Sequence, residues 1–206
     1  MLGMLTSALR ASIATCLLCG LVYPLAVDGI AQALLPYQAN GSLERDADGT
    51  VVGSRLIGQQ WEGQEWFHGR PSATTGADPN DATKTVPAPY NAASSTGSNL
   101  GPTNKTLMER LTADRKTLEV AQPELAGRLL PADMLTASAS GLDPDITPAD
   151  ALLQVARVAR ARGVPPKEIA ALVERHVASR SLGVFGEPRV NVLTLNLALR
   201  RAYPRP

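Results

Sequence analysis

The length, composition and charge of this chain exclude several classes of protein. Its 206 residues can form one ordinary domain with an appended segment, and the core of such a domain needs no disulfide bonds. Twenty Lys and Arg are balanced by nineteen Asp and Glu, and the formal net charge of +1 argues against binding to nucleic acid or to an anionic membrane surface.

The first predicted element is an apolar helix over Ala11–Val27, a run without a charged residue. Seventeen helical residues are about 25 Å long, and the uncharged flanks extend the helix across a hydrocarbon core of about 30 Å. We therefore predict an N-terminal transmembrane anchor over residues 1–37, with a kink at Pro24. Cys16 and Cys19 share one face of this helix, where packing is expected rather than redox chemistry.

The basic residues around this run predict its orientation. Arg10 precedes it, and no Lys or Arg follows before Arg45. The positive-inside rule therefore places the N-terminus in the cytoplasm. Residues 38–206 then form a single extracytoplasmic domain behind a single-pass anchor.

The same segment is open to a second interpretation, a cleaved signal peptide. Ala31-Gln32-Ala33 has the small-x-small form of a cleavage site after an apolar stretch. A lipoprotein signal fits less well, because the apolar stretch from Ala11 to Thr15 is too short to precede a lipid-modified Cys16.

The remaining residues predict an α+β domain that begins with a small hairpin. Turns at Asn40-Gly41 and Asp48-Gly49 flank short β-type runs at Thr50–Val52 and Arg55–Ile57. From there to Asn104 the chain is rich in Gly, Pro, Ser and Thr, which predicts irregular structure with a few strands. The stretch WEGQEWFHGRP contains both tryptophans and one of the two phenylalanines, so we expect it to be anchored in the fold.

Helical periodicity dominates the second half. Three helices are predicted to begin at a capping box at Thr106, at an N-cap at Thr147 before Pro148, and at Pro166. The third of these is predicted to extend to Ser179 and to bury Ile169, Leu172 and Val173. Residues 191–201 alternate like a strand, but Asn191 can cap a helix that is apolar nearly all round, so we predict a buried C-terminal helix.

The helix that begins at Thr147 has a predicted apolar face and a predicted polar face. Leu152, Val155, Ala156 and Ala159 form the apolar face, Gln154 and Arg157 lie opposite, and Gly163 ends the helix. Arg157, Arg160 and Arg162 are accordingly interpreted as a solvated face.

A fifteen-residue stretch from Tyr90 to Asn104 contains no charged side chain. Its Ser, Thr, Asn and Gly favour a structured loop, and a phosphate-binding P-loop is not predicted because neither Gly97 nor Gly101 is followed by Lys-Ser or Lys-Thr. The order Ser98-Asn-Leu-Gly-Pro102 recurs in outline as Ser140-Gly-Leu-Asp-Pro144. Both loops are expected to lead the chain to a helix N-terminus.

The side chains that carry chemistry are few. His68 and His176 are the two histidines, and no metal-binding pair of His or Cys occurs in the soluble part, so no metal site is predicted. The G-x-S-x-G motif of a serine hydrolase is absent. A triad using His68 across loops remains one interpretation; the other is that His68 and Arg70 hydrogen-bond to the Gly-rich backbone. His176 is expected to be a buried or interface residue.

The order of motifs along the chain resembles one family closely. These motifs are GLVYPLA, ANGSL, GSRLIGQQW, WFHGRPSA, YNAASSTGSNLGPTN, LPADMLTASASGLDPDITPADALLQVARVARARG, LVERH and LGVFGEPRVNVLTLNLAL. Together they resemble the C subunit of the bacterial Kdp potassium-transporting P-type ATPase over nearly the whole chain. Ala139, Trp61 and Trp66 depart from the residues that the family often has there.

This resemblance implies an accessory subunit in the bacterial inner membrane. The implied partners are a channel-like potassium-translocating subunit, a P-type subunit that hydrolyses ATP and a small membrane subunit. The chain has no D-K-T-G phosphorylation motif, so it is expected to be non-catalytic. The resemblance also implies a catalytic chaperone that raises the ATP affinity of the hydrolytic subunit; ATP is a ligand by resemblance alone, because the predicted topology separates the domain from the cytoplasm.

Two other function classes stay open on the residues alone: an anchored or secreted hydrolase using His68, and an extracytoplasmic module that binds a small ligand. For an assembly subunit, the candidate partner interface consists of uncharged and flanking polar residues, because charged side chains are disfavoured at interface cores. The candidates are His68, Arg70, Tyr90, Asn91, Ser98, Asn99 and Asn104.

The orientation can be tested directly. A reporter that is active only outside the cytoplasm, fused after Pro206, should be active, because Arg10 is the only basic residue before the span. Activity of a cytoplasm-only reporter at the same position would overturn the orientation. N-terminal sequencing of the mature protein should find the segment before Ala33 intact; a start at Gln32 or Leu34 would identify a signal peptide.

Overall fold

The computed structural model describes residues 2–46 and 48–204, so the last two residues of the predicted domain 38–206 lie outside the described residues. The chain forms two compact units, one up to Leu43 and one from Glu44 onward. A long apolar helix in the first unit and a mixed helix and sheet domain in the second confirm the α+β class. The domain boundary at residue 37 stays a prediction.

The N-terminal unit is dominated by one continuous helical segment. It runs through α1 (Leu2–Leu17), a π-helical turn (Leu18–Val22) and α2 (Tyr23–Leu34), followed by the short α3 (Pro36–Ala39). The helical segment of 33 residues from Leu2 to Leu34 is long and apolar enough to cross a bilayer, and none of these residues is buried. The π turn ends two residues before Pro24, whose missing N–H removes one helical hydrogen bond, so a wider turn accommodates the proline there.

The second unit begins with a hairpin, as predicted, but with other strands: its first strand was not predicted, and the run predicted at Thr50–Val52 overlaps its second. Strands β1 (Leu43–Arg45) and β2 (Val51–Ser54) pair around the Asp48-Gly49 turn, where Gly49 has φ +82°. The strand predicted at Arg55–Ile57 is wrong. Those residues turn instead, because the backbone N–H of Ile57 donates to Ser54 O at 3.2 Å.

Two further sheets follow along the chain. Strands β3 (Thr75–Asp78) and β4 (Asp81–Pro87) form an antiparallel hairpin within the Gly- and Thr-rich region. A three-stranded sheet has β7 (Arg189–Asn191) at its centre, paired antiparallel with β5 (Asp145–Ile146) and β6 (Val177–Ala178). These strands have only two or three residues each, so the sheet contributes few hydrogen bonds of its own and depends on the helices that pack against it.

Among its described residues this unit has the α-helices α4 (Lys105–Ala121), α5 (Pro148–Arg162), α6 (Pro166–Arg175) and α7 (Val192–Ala202). Thr147 caps α5 through its hydroxyl, and Gly163 ends it at φ +66°, as predicted. Asn191 caps α7 by accepting from Thr194 N, which confirms the C-terminal helix. Helix α6 ends at Arg175 rather than Ser179, because Val177 and Ala178 join the sheet.

The cap of α4 differs from the predicted one. Thr106 was expected to cap the helix, but Asn104 does so, with its Oδ1 accepting from the backbone N–H of Thr106 and of Leu107. Asn at an N-cap is at least as favourable as Thr, so the helix starts two residues earlier.

The core of this unit forms where α5, α6 and α7 pack around Phe67 and the central strand. Ile169, Leu172 and Val173 of α6 are buried there, as predicted. The other buried members of the cluster are Phe67, Ile146, Ala151, Val155, Val158, Ala159, Val190, Val192, Leu195 and Leu199.

The predicted faces of α5 are wrong at four positions. Leu152 is 46% exposed and Ala156 is also exposed, whereas Gln154 and Arg157 are 3% and 1% exposed. The polar residues face inward because the segment packed against α5 is irregular, and its buried backbone groups need hydrogen-bond partners that apolar side chains cannot supply.

Gln154 and Asn196 bond to this segment as a neighbouring strand would. Asn196 Oδ1 accepts from Phe67 N at 2.9 Å, and its Nδ2 donates to Phe67 O at 2.9 Å. Gln154 Oε1 accepts from His68 N at 2.8 Å, and its Nε2 donates to His68 O at 3.0 Å. Two side-chain amides therefore satisfy both backbone groups of two successive residues.

Arginines of α5 hold the residues just before Phe67. Arg157 donates to Gln64 O at 2.7 Å, to Trp66 O at 2.9 Å and to Gln154 Oε1 at 2.6 Å. Arg162 donates to Glu65 O and stacks 4.5 Å from the centre of the Trp66 ring. The interpretation of these arginines as a solvated face is wrong for both; Arg160, which pairs with Glu124 at the surface, alone fits it.

Arg157→Ala is expected to lower the free energy of unfolding by about 2–4 kcal/mol, because it removes a buried charged donor from three acceptors. Arg160→Ala on the same helix is the matched control, and its exposed ion pair predicts a loss of about 1 kcal/mol or less. Chemical denaturation of the full chain in detergent measures both. Equal effects of the two substitutions would contradict the structural role of Arg157.

Asp150 predicts a pH dependence of stability. The carboxylate is 1% exposed and accepts from Gln154 Nε2 at 2.7 Å. Burial, opposed in part by this hydrogen bond, raises the pKa of Asp150 from 3.8 to about 7. Because the folded state holds the proton more tightly than the unfolded state, this residue's contribution is complete below about pH 4 and is lost as the pH rises to about 7.

Asp150→Asn should remove this pH dependence of the free energy of unfolding. The change that is removed amounts to a few kcal/mol, on the order expected for a pKa shift of this size. Denaturation midpoints of wild type and variant measured from about pH 4 to about pH 8 make the comparison. Parallel profiles would show that Asp150 titrates normally in the folded protein.

Candidate interaction surface

Arg70 joins two loops that are far apart in sequence. Its Nη1 lies 2.9 Å from Asp143 Oδ2, and Nη2 reaches Thr136 O at 3.4 Å. Residues 67 and 68 are held by α7 and α5, so the backbone position from which the Arg70 side chain extends is fixed. The RPSA and SASGLD segments therefore form one surface rather than two independent loops.

Tyr90 lies where these loops meet. Its hydroxyl donates to Arg70 O at 2.6 Å, and its backbone N–H donates to Ser72 Oγ at 3.0 Å. A Cβ at Gly58 or Gly69 would lie 2.3 Å and 2.4 Å from Tyr90 ring or hydroxyl atoms, so both glycines make room for the ring. Burial, and then the nearby Asp143, raise the pKa of Tyr90 to about 12, so the phenol stays protonated and donates.

Hydroxyl and amide side chains tie the next residues to the β3–β4 hairpin. Thr74 Oγ1 donates to Ala88 O at 2.6 Å and accepts from Asn91 N at 3.1 Å. Asn91 Nδ2 donates to Thr75 O at 2.8 Å. Ser72 Oγ donates to Gly141 O at 2.7 Å. Tyr90 and Asn91 are thus engaged internally and support the surface from beneath.

The two loops with similar sequences also share a backbone feature. Asn99 has φ +52° and Gly141 has φ +68°, so the second residue of each loop is in the left-handed region. A Cβ at Gly97 would lie 2.8 Å from Ala139 O, so the two loops approach closely there. Both loops also lead the chain to a helix N-terminus, as predicted, since Asn104 caps α4 and Thr147 caps α5.

Ser98, Asn99 and Asn104 are exposed, whereas Tyr90 and Asn91 are half-buried. Asn104 has a structural task as the cap of α4. The uncharged stretch predicted from sequence therefore has an anchored beginning, an exposed middle and an end fixed to a helix.

A groove of about 630 Å³ lies between the segment from Gln59 to Ser72 and helix α4. Of the candidate residues, His68, Arg70 and Tyr90 line this groove together, and Asn91, Ser98, Asn99 and Asn104 do not. The opposite wall carries the α4 ion pair between Arg110 and Asp114, 3.0 Å apart.

The geometry of His68 confirms the structural interpretation made from sequence. Its Nε2 lies 2.8 Å from Gly63 O. Burial, and then the positive charge of Arg157, lower the pKa of His68, so the imidazole is neutral and donates to this carbonyl. In the part of the chain that the structure describes, His68 is not hydrogen-bonded to a serine or a carboxylate, so a base and nucleophile pair is not formed there.

The second histidine is half-buried at the end of α6. His176 Nδ1 lies 2.8 Å from Leu172 O, one helical turn earlier. No group of three or more His, Cys, Asp or Glu that could hold a metal ion occurs among residues 2–46 and 48–204. Cys16 and Cys19 are free thiols in the N-terminal helix.

Sequence reasoning missed the residues that build this surface. Gln154, Arg157 and Asn196 are polar residues on buried helix faces, and their partners are 86 to 129 residues away for the two amides. One signal was available in the sequence. These three polar residues interrupt otherwise apolar helix faces, and the chain also contains a segment poor in regular structure whose backbone groups need hydrogen-bond partners.

Comparisons with known proteins agree on one family. A family model described as KdpC, the c chain of K+-transporting ATPase, matches residues 5–201. A protein of Rhodopseudomonas palustris named potassium-transporting ATPase KdpC subunit is 55% identical over 205 residues, which is 100% of both chains. Proteins of the same name from Methylobacterium nodulans and Bradyrhizobium diazoefficiens are 55% and 58% identical, over 97% and 89% of each chain.

The family model extends from the apolar helix into α7, and the Rhodopseudomonas palustris protein matches over the whole chain. The resemblance found in the order of the sequence motifs is therefore confirmed over the full fold. The chain belongs to the KdpC family, the c chain of K+-transporting ATPases.

Proposed function

We propose that this chain is a non-catalytic accessory subunit that stabilises the assembly of an ATP-driven potassium uptake complex. The observation that carries the proposal is the full-length similarity, 55% over both chains, to a protein named potassium-transporting ATPase KdpC subunit. The neutral, carbonyl-bonded His68 is in keeping with a non-catalytic role.

The proposed partners are a channel-like potassium-translocating subunit, a P-type subunit that hydrolyses ATP and a small membrane subunit. The long apolar helix Leu2–Leu34 supports an anchor beside them in the bacterial inner membrane. With the N-terminus in the cytoplasm, the domain from Glu44 onward would lie outside, in the orientation that the basic residues predict.

The proposed docking surface is the exposed middle of the uncharged stretch, Ser98 to Thr103. Its two ends are fixed, because Ser95 Oγ donates to Ser140 O at 3.0 Å before it and Asn104 caps α4 after it, so little conformational entropy is lost when a partner binds. Exposed Ser, Asn and Gly without charge are compatible with close packing, because no ammonium or carboxylate has to be desolvated. His68, Arg70, Tyr90 and Asn91 then act as its support.

The effect on ATP affinity that the family resemblance implies needs no ATP site in this chain. A subunit that binds one conformational state of the pump more tightly shifts the equilibrium toward that state from either side of the membrane. The affinity of the hydrolytic subunit for ATP then rises by the same coupling factor by which ATP tightens the binding of this chain.

Copurification tests the assembly role and the docking surface together. Ser98→Glu and Asn99→Asp should each reduce the recovered partner subunits by about tenfold, because a charge at an interface core costs its hydration. Aspartate tolerates the left-handed backbone of residue 99, so this variant adds charge without adding strain. The tagged full chain is extracted in mild detergent with the other subunits coexpressed.

Asn80→Asp is the matched control, since Asn80 is exposed and lies outside the stretch. Failure of the wild type to recover other subunits would refute the assembly role itself. Wild-type recovery by both loop variants would refute only the docking surface.

A further inference from the structure

An exposed apolar loop lies between β6 and β7, outside the uncharged stretch from Tyr90 to Asn104. Leu182 is 90% exposed, Val184 70% and Phe185 66%. Three large apolar side chains within four residues form a concentrated patch, and such patches on soluble domains mark sites of interaction.

The loop is a defined turn. Ser181 and Phe185 form an antiparallel bridge, with Ser181 N donating to Phe185 O at 2.8 Å and Phe185 N donating to Ser181 O at 2.9 Å. Gly183 N donates to Arg180 O at 3.1 Å. The Arg180 and Glu187 side chains pair across its base. These bonds fix the directions in which the apolar side chains project.

Leu182 occupies an unfavourable backbone conformation. Its φ of +53° lies in the left-handed region, which favours Gly or Asn over a residue with a bulky side chain. Its neighbour Gly183 shares that region at φ +75° without penalty. A strained leucine whose side chain is almost fully in solvent gains nothing within this chain, and that points to a contact outside it.

We propose that the loop Leu182–Phe185 inserts into an apolar pocket of another protein subunit of the potassium-transporting ATPase. The inference rests on the proposed assembly function and adds to it a second docking element with different chemistry. Phe185 and Leu182 would be the buried anchors, and the paired Arg180 and Glu187 the polar rim.

The charges at the base of the loop favour a protein pocket over a lipid surface. A loop that inserts into a bilayer typically carries unpaired basic residues that attract anionic lipid headgroups. Here Arg180 pairs with Glu187, and Arg189 lies 3.1 Å from Asp145. The two arginines that flank the loop in sequence are therefore neutralised within the chain.

Photo-crosslinking in the assembled complex tests the contact. The photoreactive residue p-benzoylphenylalanine replaces Leu182 in the full chain, and in the control it replaces Leu129, a leucine that is 96% exposed. Irradiation should link position 182, and not position 129, to another protein subunit. A lipid or detergent adduct alone at position 182, no adduct there, or equal adducts at both positions would overturn the proposal.

Leu182→Asn separates docking from folding. Asparagine tolerates the left-handed backbone and is close to leucine in size, so the melting temperature of the full chain should stay equal or rise. Recovery of the partner subunits should nevertheless fall by about tenfold, while Leu129→Asn leaves it unchanged. If the wild type assembles and Leu182→Asn assembles equally well, this inference fails alone; if the wild type recovers no partner, the proposed function fails.

Discussion

Two side-chain amides hold the segment around which this domain is organised. Asn196 and Gln154 each bond to both the N–H and the C=O of one residue, Phe67 and His68, at distances of 2.8 to 3.0 Å. Phe67 is fully buried, and without these amides its backbone would be buried with no partner. Such groups cost about 1–3 kcal/mol each when unpaired, so an irregular segment can cross the core only because the helices supply strand-like partners.

The surface that we interpret as functional depends on this anchoring. Arg70 follows His68 by two residues and reaches Asp143, while the Tyr90 hydroxyl bonds back to Arg70 O. Each contact fixes the position from which the next one is made. The exposed turn at Asn99 lies between the Ser95–Ser140 hydrogen bond and the Asn104 cap of α4, and a surface fixed at both ends loses little entropy on binding.

Local signals in the sequence predicted the elements that local physics controls. Thr147 and Asn191 were recognised as caps, and the hairpin turn at Asp48-Gly49 was predicted, because those choices are made within a few residues. The burial of Gln154 and Arg157 was not predicted, because apolar periodicity assigns polar residues to solvent and because the groups to which these residues bond are distant in sequence. The family was recognisable from the motif order, whereas composition and spacing alone left hydrolase and binding-module functions open.

Native-state hydrogen exchange at the amides of Phe67 and His68 measures the central interaction most directly. If Asn196 and Gln154 hold this segment as strands would, both amides should exchange only with global unfolding, at the same free energy as buried helical amides such as that of Val158. Exchange of the Phe67 and His68 amides through a local opening, at rates orders of magnitude faster than that of Val158, would contradict the account.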